Sequence, residues 1–471
     1  MVWEGDRGAV GRAGGAARGV ATLPGLQPEG SWLQPARSPE PDRAVTTLVA
    51  GYIALAALIN PKGPANTAPW DVLALLTLFG VFLWALSRRP VLRVPYGWPM
   101  AGIMITGLVA ALLSVDPPGA TVAVLQELFL LLWCAAVATV CRTADVVRIL
   151  LRAWAVSAIA WALLLEVAVV AGLSSIAGTG TRVLPGSGGT VEAGIGTRAR
   201  LFFDHPNMAG NYFMIAVFIV LASGYPRKRR LRIGACAVLV VAMFLSGSNA
   251  ALLSLIGGAV VTLFLRVRAR SGLVRALSIV GVLVVVLSVA AVEVAVPLVT
   301  IAEQTNNPLL KYSIGRGQRS ADARVALFGS ELEIYQRGTL LGIGPATTKE
   351  TLSQQASARA KTAHNDYLAT LVERGPLGLV AVFLLVCSVW ARITAIGRRP
   401  LPPRLAAAVP MPAALGGACA AFALTSLTHE ILHYRWFWTL LGIVAAVHLL
   451  AAREHADPGP ARPMPAADPV S

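Results

Sequence analysis

The sequence predicts an all-α protein that crosses a membrane many times, and three observations support this fold class. Hydrophobic residues make up 56% of the 471 residues and charged residues only 14%, whereas about a quarter of an average soluble protein is charged. Apolar runs that reach the roughly 20 residues of a spanning helix recur throughout the chain. The segments between these runs alternate between arginine-rich and arginine-poor. Together these features predict a polytopic protein with about twelve transmembrane helices.

Most of the apolar runs precede a long polar segment, and the last three follow it. In chain order the runs lie at 41–60, 68–87, 96–114, 119–141, 149–173, 206–224, 231–247, 249–265, 274–299, 376–396, 405–427 and 434–452. The predicted organisation is a disordered cytoplasmic tail at 1–43, a transmembrane bundle at 44–299 with an outer loop at 174–205, an outer catalytic loop at 300–364, further spans within 365–452 and a cytoplasmic tail at 453–471.

Arginine clusters follow the even-numbered runs and predict the orientation. They include Arg88 and Arg89 after the second run and Arg227, Arg229 and Arg230 after the sixth. Because cytoplasmic loops carry the excess of arginine and lysine, these exits should face the cytoplasm. Both termini are then cytoplasmic, and the two large loops lie outside the cytoplasmic (inner) membrane. The arginine-rich cytoplasmic loops and the N-terminal tail explain most of the formal charge of +16, so membrane lipids and not nucleic acids are the expected partners.

One motif lies where the outer polar segment returns into an apolar run. His364-Asn365 is followed, after nine residues, by Gly375 and Gly378 in a Gly-x-x-Gly pattern. This motif resembles the signature of the bacterial O-antigen ligase and O-antigen polymerase superfamily. The resemblance implies a GT-C-like membrane glycosyltransferase that moves glycans from polyprenyl-diphosphate carriers and needs no cofactor. It also implies that the 300–364 segment forms a helical cap over an outward-facing cavity.

Two further stretches are similar to the family and occur in the same order. Arg200 precedes Pro206-Asn207 at the outer end of the sixth run, where a proline suits the first helical turn. Arg324 and Arg337 precede the Gly-Ile-Gly-Pro stretch at 342–345. The chain departs from the pattern at the outer end of the seventh run: many relatives have Ser-Arg there, and this chain has an asparagine after the serine. Any role that depends on that arginine is therefore in doubt here.

The resemblance, together with the demands of glycosyl transfer, assigns roles to these residues. An acceptor hydroxyl attacks the anomeric carbon while diphosphate leaves, so the site needs a base on one side and positive charge on the other. His364 is the predicted base because a neutral imidazole is available near pH 7. Arg200 and Arg324 are predicted to hold the diphosphate, without a metal ion. The residues expected to bind or orient substrate are Asn365, Asn207, Arg337 and Glu373.

The implied reaction inverts the anomeric centre by direct displacement. The donor is a polyprenyl-diphosphate-linked glycan, and the acceptor is a hydroxyl of a lipid, a glycan or a protein. A polysaccharide polymerase of the same superfamily shares these motifs and differs in its acceptor. The sequence leaves the choice between ligase and polymerase open.

Two other classes of function also remain open. His429-Glu430-Ile-Leu-His433 matches H-E-x-x-H, and on a helix this spacing places two imidazoles on one face for the zinc ion of an intramembrane protease. Against the protease, the pattern lies at a span boundary and has no obvious third ligand. The acidic residues Glu127, Glu166 and Glu293 fall within predicted spans, where ionisable groups are typical of transporters and of functional cavities.

Overall fold

The computed structural model describes residues 41–58, 69–179, 198–305, 317–348, 351–352 and 365–456, and this part of the chain is helical. The principal helices are α1 Arg43–Ala54, α2 Pro69–Arg88, α3 Gly97–Leu112, α4 Pro117–Val140, α5 Ala144–Val170, α6 Pro206–Ser223, α7 Arg229–Leu245, α8 Asn249–Ser271, α9 Leu273–Ala290, α10 Gly317–Arg337, α11 Asp366–Arg398, α12 Ala413–Thr425 and α13 Arg435–Ala456. Helix α9 continues through a π turn, Ala291–Ala295, into Val296–Gln304.

Each predicted apolar run coincides with one of these helices, and α10 is added within the predicted outer loop. Among the described residues, eight helices are long and apolar enough to cross a membrane. The apolar helices α1, α3 and α12 have only 12, 16 and 13 residues, and α7 has 17. The structure therefore supports a polytopic membrane protein, while the number of twelve spans stays a prediction.

Helix α6 lies at the centre of the bundle, and 89% of its apolar window is buried. It packs against α5, α7, α8 and α12. The closest helix pair is α8 with α12, where a Cβ on Gly258 would lie 2.6 Å from the carbonyl oxygen of Gly417. Small residues of this kind let two backbones approach in a membrane. The apolar window of α9 is 0% buried, so this helix lies at the periphery.

Helices α6 and α11 both start with side-chain caps. Asn365 precedes α11, and its Oδ1 accepts the backbone N–H groups of Tyr367 at 2.9 Å and Leu368 at 3.1 Å. His205 precedes α6, and its Nδ1 accepts the N–H of Asn207 at 3.1 Å. These contacts satisfy N–H groups that have no partner within the first helical turn. Each helix start is thus fixed in position.

A kink at Gly375 divides α11 into a short piece before the kink, which we call the outer piece, and a long piece after it. The residue has φ 67°, a left-handed conformation that favours glycine, and Pro376 follows it. A Cβ on Gly375 would lie 1.9 Å from the carbonyl oxygen of Leu340. The N–H of Gly344 donates to the carbonyl oxygen of Glu373 at 3.0 Å. The kink therefore allows the Gly-Ile-Gly-Pro stretch to pack directly on the backbone of α11.

Helix α10 occupies part of the predicted outer loop and packs on the outer piece of α11. Its Ile334 forms a small buried cluster with Leu352, Leu368 and Val372. An apolar contact of this kind holds a polar segment in a fixed position on the bundle. That this helix forms part of a cap over an outward-facing cavity stays a prediction.

Candidate active site

Six separated parts of the chain line one cavity of about 540 Å³. They are Ile103 of α3, the middle of α4, the segment that leads into α6, the end of the Gly-Ile-Gly-Pro stretch, α11 and the turn before α13. Polar lining residues include Glu127, Asp204, His205, Asn207, Asp366, Thr370, Glu373, Arg374, His429, Glu430 and His433. Two of the family-like stretches, at the starts of α6 and α11, therefore meet in space although they are far apart in the sequence.

An ion pair crosses the cavity wall between α11 and α4. Arg374 pairs with Glu127, and the side chains are 7% and 28% exposed. The guanidinium also donates through Nη1 to the carbonyl oxygen of Ile103 on α3 at 3.4 Å. Removing one partner of such a pair leaves a charge buried without compensation. This contact therefore fixes the position of the outer piece of α11 against two neighbouring helices.

Asp366, the first residue of α11, holds the turn that precedes α13. It is 4% exposed, and its two carboxylate oxygens accept the N–H of Ile431 at 3.1 and 2.9 Å. Oδ1 also accepts the N–H of Leu432 at 3.3 Å, and the N–H of Asp366 donates to the carbonyl oxygen of Ser426 at 2.9 Å. Charge-assisted hydrogen bonds are among the stronger ones in proteins. Asp366 thus positions the wall that carries His433.

The H-E-x-x-H segment lines the cavity but does not lie on a helix. Residues 426–434 form turns between α12 and α13, so the helical face on which zinc ligands would align is not formed. Within the described ranges, no group of three or more His, Cys, Asp or Glu side chains is arranged to hold a metal ion. Enclosure by the cavity walls and the charge of Arg435 lower the pKa of His433. The segment is better explained as cavity wall than as a zinc site.

Two arginines lie behind the wall that leads into α6. The predicted diphosphate ligand Arg200 donates through Nη1 to the carbonyl oxygens of Phe203 at 3.2 Å and Asp204 at 3.0 Å, and through Nε to that of Gly178 at 3.3 Å. These contacts hold the backbone beside the cavity in place. Because Asp204 is a lining residue, the charge of Arg200 lies next to the site.

Arg198 is the second of these arginines, and sequence reasoning did not assign it a role. It is 2% exposed, donates through Nε to the carbonyl oxygen of Ser246 at 2.8 Å, and donates through Nη2 to Oδ1 of Asn207 at 2.5 Å. It therefore reaches the outer end of α7, near Ser248-Asn249, where many relatives have Ser-Arg. A guanidinium from another part of the chain is thus present close to that turn.

The remaining predicted site residues fall into three groups. Glu373 and Asn207 line the cavity, and Glu373 accepts the hydroxyl of Thr348 at 2.8 Å. Asn365 caps α11 next to the lining residue Asp366. Arg324 is half-buried on α10, and Arg337 is exposed and pairs with Glu333; neither is among the cavity-lining residues. His364 lies outside the described residues.

Sequence reasoning missed three features of the candidate site. They are Asp366, Arg374 and the ion pair that Glu127 forms with Arg374. A charged residue within or beside an apolar run could have indicated the ion pair, because buried charges in membranes are almost always paired. Glu127 was recognised as an intramembrane acid, but its partner was not. No spacing rule joins a residue of α4 to one of α11, so only the fold could identify the pair.

The comparison with protein families identifies one domain. Residues 234–383 match the family Wzy_C, described as O-antigen ligase. This is about a third of the 471 residues, and it includes His364, Asn365, Glu373 and the Gly-x-x-Gly pattern. A comparison with curated proteins found no match.

The family match agrees with the geometry, since the outer piece of α11 both lies inside the matched domain and lines the cavity. It supports glycan ligation of the O-antigen ligase or polymerase kind at a membrane. Residues 234–383 are therefore similar to the O-antigen ligase domain of this family, and the similarity supports a place in the O-antigen ligase and polymerase superfamily.

Proposed function

We propose that this protein transfers a glycan from a polyprenyl-diphosphate carrier to an acceptor hydroxyl at the outer face of the cytoplasmic membrane. The observation that carries the proposal is the convergence of three family-like stretches on one cavity. Asp204 to Met208, Pro345 with Ala346, and the outer piece of α11 all contribute to its lining. The positive-inside rule predicts that each of these segments is outside the cytoplasm, where a flipped carrier-linked glycan would be available.

The base in this proposal is His364. It directly precedes Asn365, the residue that caps α11, and Asn365 directly precedes the cavity-lining residue Asp366. The acceptor oxygen forms a bond with the anomeric carbon as the bond between that carbon and the phosphate oxygen breaks. The acceptor proton goes to the imidazole, and the diphosphate leaves with its electron pair. One displacement of this kind inverts the anomeric centre.

Charge is distributed unevenly around the cavity in a way that suits two substrates. Arg198 and Arg200 lie behind the wall at Asp204 and Asn207, and this side is assigned to the diphosphate, with Arg324 of the cap as a further ligand. Carboxylates such as Glu430 also line the cavity. Carboxylates accept hydrogen bonds from sugar hydroxyls, so these residues are assigned to the glycan groups. The proposed chemistry uses no metal ion.

The test compares two histidines that the proposal treats differently. In reconstituted vesicles with a polyprenyl-diphosphate-linked glycan, His364→Ala should lower the rate of glycan transfer by about 10²-fold or more, which is the usual scale for loss of a general base. The variant should still bind the donor. His433→Ala removes one of the imidazoles that line the cavity and should lower the rate only a few-fold.

Near wild-type transfer by purified His364→Ala would remove this residue as the base. A large loss in His433→Ala alone would instead move the proton transfer to the turn before α13. Supplying either a lipid-linked or a carrier-linked glycan as acceptor in the same assay separates a ligase from a polymerase. The two enzymes share the donor but not the attacking hydroxyl.

A further inference from the structure

A second, apolar cavity of about 320 Å³ lies between α11, α12 and α13. We call it the groove. Its walls include Leu385 and Val389 of α11, Ala420 and Ala423 of α12, and Phe437 of α13. Small residues on α12 leave space opposite the larger side chains of α11. From Val382 to Ile393 the groove follows α11 for about 16 Å at 1.5 Å per residue, so it is elongated along the spanning direction.

The groove and the polar cavity are continuous. Asp366, Val382 and Leu432 line both. Asp366 and Leu432 lie where α11 begins and where the turn before α13 is attached, and Val382 lies beyond the Gly375 kink, at the start of the stretch of α11 that lines the groove. A ligand that occupies both spaces would therefore have a polar end at the outer face and an apolar part within the membrane.

The groove also opens sideways toward the bilayer. Val386, Trp390 and Leu424 line it and are 37%, 39% and 41% exposed. All three are on helices with apolar surfaces in the membrane-spanning region. A lipid chain could thus enter from the bilayer without passing through the polar cavity. Tyr367 closes the upper part, since its hydroxyl donates to the carbonyl oxygen of Ala423 at 3.1 Å.

We infer that the groove binds the polyprenyl chain of the glycan donor. The inference rests on the proposed function, and the chemistry of the two substrates decides between them. In the donor, only the diphosphate separates the reacting carbon from the lipid, so its chain must begin close to the reaction centre. A lipid acceptor carries its hydroxyl on a glycan, so its acyl chains can stay distant. A groove that begins at the cavity wall therefore fits the donor chain.

The experiment fills the groove and compares diphosphates with long and short chains. Phenylalanine is introduced on α12 in Ala420→Phe and Ala423→Phe, and the matched control is Ala391→Phe, at an exposed position of α11 outside the groove lining. Binding of a long-chain polyprenyl diphosphate and of geranyl diphosphate is measured on the purified full chain in nanodiscs. The groove variants should raise the Kd of the long-chain probe about tenfold, or about 1.4 kcal/mol. They should change the Kd of geranyl diphosphate less than about twofold, and the control should change neither.

Each other outcome contradicts a specific step. If wild-type protein binds neither diphosphate, the proposed function fails together with the inference. If it binds the long-chain probe but the groove variants bind it equally well, the groove assignment fails and the proposed function stands. Equal weakening of both probes would mean that the substitutions disturb the polar cavity. Photo-crosslinking from Val386 that captures phospholipid in place of an added polyprenyl diphosphate would also overturn the inference.

Discussion

The polar cavity and the apolar groove meet at Asp366, Val382 and Leu432, yet they are stabilised in different ways. The cavity depends on directional contacts between distant parts of the sequence, such as Arg374 with Glu127. The groove depends on the volumes of side chains on helices that pack side by side. Loss of one polar partner can therefore disturb the cavity, whereas a larger side chain in the lining is what disturbs the groove.

The largest effect is expected from Glu127→Ala, which breaks the ion pair in the cavity wall. Arg374 would stay buried without its partner, and we expect a loss of about 3 kcal/mol in stability. This is the lower end of the usual range because Glu127 is 28% exposed. Thermal unfolding of the purified protein measures the loss. Glu127→Gln, which keeps a hydrogen-bond acceptor, should lose less.

The control for that change is Leu125→Ala on the same helix, where the side chain is 58% exposed. It should leave the unfolding temperature nearly unchanged. Crosslinking of a polyprenol to the groove should persist in Glu127→Ala under conditions where the protein stays folded. Its loss together with diphosphate binding would show that the two spaces are not separable.

A smaller effect is expected from Glu331 on α10, which is 1% exposed. Burial and the nearby charge of Glu373 raise the pKa of Glu331 from 4.5 to about 7. The folded state therefore holds the proton more tightly, and its stabilisation is lost as the pH rises from 4.5 through about 7. Glu331→Gln should remove this dependence and stabilise the contact of α10 with α11 at about pH 8 by about 2 kcal/mol.

Hydrogen exchange of α10 at about pH 5 and about pH 8 measures that difference. Glu333→Gln is the matched control, because Glu333 is exposed on the same helix and pairs with Arg337. It should leave the pH dependence of wild type in place. Equal exchange of wild type at the two pH values, after correction for the intrinsic rate, would contradict the role of Glu331. The groove should be insensitive to both substitutions, since α10 does not line it.

The smallest effect is expected from Arg200→Lys. Lysine keeps the charge but cannot reproduce the planar fork that donates to the carbonyl oxygens of Phe203 and Asp204. We expect the Kd of a long-chain polyprenyl diphosphate to rise about fivefold, equivalent to about 1 kcal/mol. Arg88→Lys, at an exposed position outside the cavity lining, should change the Kd little. Equal values for the two variants would remove Arg200 from the diphosphate side.

Much of the helical fold could be predicted because its signal is local. The apolar runs are continuous in the sequence, and each one coincides with a helix of the structure. Helix α10 was expected only as part of a cap, since its surface is largely polar and its apolar contact with α11 comes from few residues. The number of membrane-spanning helices could not be predicted from the apolar runs in the same way. Short helices such as α1 and α12 meet the hydrophobicity of a span but not its length.

The candidate site was predictable in part. The motif at His364-Asn365 precedes the start of α11, and Glu373 and Asn207 line the cavity, while their roles toward a substrate stay predictions. The sequence could not show that Asp366 holds the turn before α13, because this contact joins residues 65 positions apart. The H-E-x-x-H residues were expected between two apolar runs, and the chain forms turns there in which Asp366 accepts the N–H groups of Ile431 and Leu432.

By itself, the sequence determined that this protein is helical, embedded in a membrane and related to O-antigen ligases. Hydrophobic runs and short motifs are local properties that survive without knowledge of the fold. Only the tertiary structure decided which charges are paired, which arginines stand behind the cavity wall and where an apolar groove joins it. The physical reason is that burial, ion pairing and empty volume depend on the neighbours that packing supplies, and these neighbours come from distant parts of the chain.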